Sequence, residues 1–175
     1  MKIILYFLIF FLTNVFISQA KVDAYNYNFS LDQLKQFQPG NRISDIKDLV
    51  FLTKKDDYSL TQTEIIYERY RIPIYIQAYK DVILDFFARL PSYFLHDIFH
   101  QSLINRLGKQ TAYIKKESAA LYIWKMPDGL THYYQGTCTI NCFPEFYSVV
   151  GPNFPPDVVP FLEQMDINLL WPLPH

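Results

Sequence analysis

The stretch YRIPIYIQAYKDVILDFFAR, residues 70–89, alternates with a period of two, and that alternation narrows the fold more than anything else in the chain. Ile72, Ile74, Ile76 and Ala78 fall on one side of an extended strand. Beyond a tight turn at Lys80-Asp81, Val82, Leu84, Phe86 and Ala88 do the same. Glu64, Glu68, Gln77, Asp85 and Arg89 take the other side. One buried face and one wet face define an antiparallel sheet, because parallel strands are covered on both sides. Pro73 cannot donate to a ladder, so it marks an edge or a bulge.

A second hairpin follows in AALYIWKMPDGLTHYYQGTCTI, residues 119–140, which folds back at Pro127-Asp128-Gly129. Leu130, Tyr134, Cys138 and Ile140 point one way, and Thr131, Gln135, Thr137 and Thr139 the other. Each hairpin is preceded by helical period. Ser30 caps a helix over Leu31, Leu34 and Phe37 that Pro39-Gly40 ends, and Ser44 caps another with Ile46, Leu49 and Val50 inward. Residues 53–59, TKKDDYS, read as a polar loop. Before the second hairpin, Ser92 caps a helix whose stripe is Leu95, Phe99, Leu103 and Leu107, with Gly108 as its C′ residue. The expected fold class is therefore α+β: an antiparallel sheet of about four strands, built from two helix-then-hairpin units, with the helices packed on one face.

The chain has 175 residues, enough for one domain. It opens MKIILYFLIFFLTNVFISQAK: a lone Lys2, ten apolar residues from Ile3 to Leu12, then Ser18-Gln19-Ala20 as small residues before a cut. That is the architecture of a secretory signal peptide over residues 1–20, too short in its apolar run to span a bilayer. Cleavage removes one of the 16 basic residues and none of the 17 acids, leaving a formal charge of −2. No basic run points to nucleic acid. The expectation is an extracytoplasmic protein, periplasmic or secreted, with no stable membrane anchor after cleavage. Residues 21–30 form a loose leader (Asn28-Phe29-Ser30 is a glycosylation acceptor in a eukaryotic source), 31–150 a single domain, and 151–175 a proline-punctuated tail. Within the tail, Asp157 caps a short helix that aligns Phe161, Met165 and Leu169. The tail lies over the domain's own apolar face, or is offered to a partner groove.

Outside the cytoplasm, Cys138 and Cys142 default to a disulfide. In one continuous strand their Cα atoms would be about 13 Å apart. A bridge tolerates at most about 7 Å. The chain must then turn at Ile140-Asn141, and Pro144 limits how far a strand can continue. The alternative is a pair of buried free thiols.

FQPGNRISDIKDL and LINRLGKQTAYIKKESAALYIWK resemble the Pro/Gly-then-helix opening and the helix–LGKP–strand step of small periplasmic domains of the β-lactamase-inhibitor-protein type, seen also in outer-membrane-assembly accessory lipoproteins. Gln110 stands where proline is usual, and the lipidated cysteine of the lipoproteins has no counterpart. The resemblance implies a binding or scaffolding module without catalytic machinery.

YFLHDIFHQ, residues 93–101, sets His96 and His100 four apart on one helix, a spacing that can share a divalent metal, with Asp97 between them. Glutamate normally serves as the base of such a motif; Asp97 is one methylene shorter, and Glu117 is the nearest downstream acid for a third ligand. His96, His100, Cys138 and Cys142 also make a four-ligand zinc set by residue type. Cys138 and His132 share a strand face, but six residues separate them by about 20 Å, too far for proton transfer. There is no G-x-S-x-G elbow and no Gly-rich phosphate loop. Tyr75, Tyr79, Tyr133 and Trp124, strung along the strands, form the candidate binding surface. The leading expectation is a non-catalytic protein that binds another protein or an envelope component without a cofactor. The alternative is a small hydrolase, zinc-dependent through His96 and His100, with Asp97 and Glu117 as its acids.

Overall fold

The computed structural model describes residues 31–67, 70–92, 96–138 and 142–165. The expected signal peptide and leader (1–30), the turn at Ile140-Asn141, Glu68, Leu95 and the end of the tail lie outside the described residues. The strands are β1 Val50–Lys55, β2 Tyr58–Tyr67, β3 Tyr70–Tyr79, β4 Val82–Arg89, β5 Ala112–Lys116, β6 Ala119–Lys125, β7 Thr131–Cys138 and β8 Cys142–Val150. They form one sheet in the order β1-β2-β3-β4-β8-β7-β6-β5, antiparallel at every pairing. Two four-stranded meanders thus meet along the β4–β8 seam. The helices are few and short: a 3-10 helix Leu31–Phe37, a 3-10 turn Ile43–Asp45, α1 His96–Leu107 and α2 Phe161–Gln164.

Eight strands overturn the expected four-stranded α+β sheet of helix-then-hairpin units. The two hairpins read from the sequence are β3–β4 and β6–β7; the strands missed are β1, β2, β5 and β8, and β2, although it alternates in burial, turns polar Ser59, Thr61 and Thr63 inward. β1 is a sheet edge exposed at every position, so nothing forces its sequence to alternate. The segment read as the polar loop TKKDDYS is the tip of the β1–β2 hairpin, turned by Asp56 at φ 50. The helix expected after Ser44 stops at Asp45, and Val50 already belongs to β1. β8 is buried on both faces from Phe146 to Val150, which removes any polar beat. Its Pro144 is tolerated because the β4–β8 ladder starts only at Phe146. Pro73 is accommodated in the same way, one residue before the β3–β4 ladder opens at Ile74.

The larger core lies on one face, where Ile72, Ile74, Ile76, Phe86 and Tyr134 meet Leu34 and Phe37 of the 3-10 helix and Phe99 and Leu103 of α1. α1 ends at Gly108, whose φ of 81 suits a left-handed C′ position; its N–H bonds to Ile104 O at 2.9 Å. The other face was expected to be wet. Instead Phe87, Leu121, Ile123, Phe146 and Val150 form a second cluster, closed by Leu162 with Phe154 and Phe161 packed alongside. Gln77 and Asp85, assigned to water by their parity, are 0% and 1% exposed beneath this C-terminal segment.

Candidate functional site

On the larger face, the Leu31–Phe37 helix and α1 stand apart over the β4–β8–β7 seam and leave a groove of about 340 Å³. Leu31, Leu34 and Lys35 line one wall, and Arg106 and Leu107 the other. Phe86, Val149, Tyr147 and His132 form the floor. The register explains this convergence: Phe86 on β4 and His132 on β7 both lie opposite Val149 on β8, so all three share one face. At the mouth, Asp32 meets Lys35 at 2.8 Å and Arg106 at 3.4 Å, which ties the walls together and leaves the rim one positive charge in excess. These pairs are largely solvated and add little to stability.

The floor holds one polar pair. His132 Nδ1 lies 2.7 Å from the Tyr147 hydroxyl, and both residues are buried. Burial pushes His132 down to about 4, so the imidazole is neutral at physiological pH, and burial raises the Tyr147 phenol. A concave, mainly apolar site with a few convergent polar groups suits a small ligand. A larger hollow of about 710 Å³ opens beside β2, but Asp45, Lys47, Asp48 and Glu64 line it, and no buried titratable group does.

A row of tyrosines runs across the same face. Tyr113, Tyr122, Tyr134 and Tyr147 are register partners in turn over β5, β6, β7 and β8. His96 and His100 of α1 lie on this row rather than in a cleft. His96 Nδ1 is 2.8 Å from the Tyr134 hydroxyl, and its Nε2 is 3.4 Å from that of Tyr122. The His100 ring packs on Tyr122 at 3.9 Å, and its Nε2 is buried without a partner among the described residues. Burial lowers both imidazoles, His100 to about 4 with help from the neighbouring His96. Gly136 makes the approach of α1 possible, since a Cβ there would sit 2.3 Å from His96 Nδ1.

The structure therefore brings the two histidines together, with ring centroids 5.6 Å apart, but not with the acids named beside them. Asp97 is exposed on α1, and Glu117 is exposed in the β5–β6 turn at φ 51. Among the described residues no group of three or more His, Cys, Asp or Glu is placed to hold a metal ion. Tyr75, Tyr79 and Tyr133 share the face opposite α1, where Phe161 stacks on Tyr75 at 5.5 Å. Trp124 is on the other face, 1% exposed, and donates its indole N–H to Gly108 O at 2.8 Å. The backbone of Cys138 pairs directly with that of Cys142 in the β7–β8 ladder.

The His132–Tyr147 pair escaped the sequence reading because β8 carries no alternation. The usable signal was the parity of β7, which sets His132 and Tyr134 on one face. Comparison with family models, curated proteins and solved structures finds no match. No helix among the described residues is long and apolar enough to cross a membrane.

Proposed function

We propose that the protein is an exported, non-catalytic binding protein that seats a small, mainly apolar molecule with one anionic end in the groove between the Leu31–Phe37 helix and α1. The observation that carries this reading is the apolar groove floored by the buried His132–Tyr147 pair and rimmed by Lys35 and Arg106. Apolar walls favour a hydrocarbon body, and the excess rim charge favours a carboxylate over an ammonium. The described lining holds no serine, threonine or cysteine and no pair of carboxylates, and burial raises the phenol of Tyr147, the hydroxyl that stands beside the His132 imidazole. The N-terminal apolar run supports export, and the likeness to periplasmic binding modules points the same way. Facing positions on paired antiparallel strands lie about 4.5–5.5 Å apart at Cα, within disulfide range, so Cys138 and Cys142 are bridged in the exported protein.

Decanoate, titrated into the purified protein and followed by methyl NMR, tests the binding reading. Shifts confined to Leu34, Leu107 and Val149 support it, with Arg106→Ala weakening binding about ten-fold, the loss of one charge-assisted hydrogen bond. Decanol binding as tightly as decanoate would remove the anionic end from the proposal. Unmoved groove methyls at saturation would sink the site.

A further inference from the structure

The face opposite the groove buries a polar latch. Asp85 Oδ2 accepts the backbone N–H of Phe161 at 2.7 Å and the Gln77 side-chain amide at 3.2 Å. Oδ1 is buried with no partner among the described residues. Gln77 Nε2 also donates to Val159 O at 3.2 Å, while Gln77 Oε1 accepts from Tyr58 at 3.1 Å and from Gln164 at 3.2 Å. The two polar side chains at the centre of this face thus direct hydrogen bonds to residues 159–164. Around them Phe161 stacks on Tyr75 and lies 5.7 Å from Phe87, and Leu162 is 1% exposed.

We propose that residues 154–165 are a cover that leaves the sheet when Asp85 ionises and exposes the aromatic strip of Tyr75, Phe87 and Phe146. A protonated carboxyl can be buried beside these groups; a carboxylate with one oxygen unpaired and no cation beside it cannot be held as cheaply. Among the described residues, the groups around Asp85 supply no counter-charge. Gln77 on β3 and Val150 on β8 are its uncharged register partners, and the Tyr58 phenol on β2 lies near enough to feel its charge. The segment itself carries Asp157 and Glu163, and the hollow beside it is lined by Lys55, Asp56 and Asp57. No ion pair to Asp85 forms among the described residues.

Burial pushes Asp85 up to about 7, against an ordinary value of 3.8, and the hydrogen bonds from Phe161 and Gln77 only partly offset it. The docked state holds the proton more tightly than the open one. Docking is thus strongest below the free value and weakens as pH rises through the docked value. Between pH 5 and pH 8 the docked-to-open ratio falls roughly a hundred-fold.

Hydrogen exchange of the exported protein, corrected for intrinsic rates, tests this at the amides of residues 158–165. Their protection should fall about a hundred-fold from pH 5 to pH 8 while β3 and β7 stay protected, and Asp85→Asn should keep the segment protected throughout. Wild-type protection independent of pH, or the same dependence in Asp85→Asn, overturns the proposal. Carbon-13 NMR of the wild-type Asp85 carboxyl provides a reading that needs no variant: a midpoint raised well above 4 supports the cover, and one near 4 overturns it.

Discussion

The two faces of the sheet bury ionisable groups that answer protons in opposite directions. Under α1 and the Leu31–Phe37 helix lie imidazoles held neutral, and under the C-terminal segment lies a carboxyl held protonated. Desolvation is the larger cause on both faces, but it disfavours a cation on one and an anion on the other. The coverings differ as well. α1 is a three-turn helix seated on a large core, whereas the C-terminal segment is proline-punctuated with a helix of four residues. One face is built to stay closed, and the other to open.

Gly136→Val attacks the difference where it is largest. The added side chain would drive into His96 beneath α1, so global stability should fall by about 4 kcal/mol, read as a lower denaturant midpoint. If that midpoint is unchanged, α1 does not depend on its close seat over β7. A pH series separates the faces next. His132 sits below its free value of 6.5, so its stabilisation is present above that pH and lost as pH falls to about 4, a change on the order of 3 kcal/mol. Asp85 runs the other way across the same window. His100, also lowered to about 4, adds a second rising contribution that Asp85 does not offset, so wild-type stability should rise with pH from about 4 to 6.5; His132→Gln should flatten that limb and Asp85→Asn should steepen it. Identical pH curves for all three proteins would remove the contrast. Leu162→Ala should have the smallest effect, about 2 kcal/mol, confined to exchange protection of the C-terminal segment, with the sheet's denaturant midpoint nearly unmoved. A midpoint that drops as far as it does in Gly136→Val would make the segment an integral part of the core.

How far the fold could be read depended on apolar alternation and turn residues rather than on burial alone: β4 and β6 are dry on both sides but flank marked turns, whereas β2 alternates in burial with polar residues inward. β3 alternates because Ile72, Ile74 and Ile76 face a core while Arg71 faces solvent, and β7 because Tyr134 faces the core while Thr131 and Thr137 do not. β1 is wet on both sides and β8 dry on both, so neither bears the period-two mark. The same blindness hid the candidate site, whose floor needs Tyr147 and Val149 of β8. The burial of Asp85 was out of reach for another reason: its strand position is polar by parity, and only a segment more than seventy residues later covers it. His96 and His100 were visible as a pair, but their partners Tyr122 and Tyr134 follow from register, which spacing along one helix does not encode.

The β4–β8 seam also has a consequence for how the molecule is made. Every other pairing joins strands adjacent in the chain, but Arg89 must wait for Phe146, and Asp85 for Val150. A chain emerging from its N-terminus can assemble the first meander early, then must keep the outer rim of β4 unsatisfied until the final strand arrives. The slow, vulnerable moment of maturation is therefore this last closure, when two half-finished sheets become one.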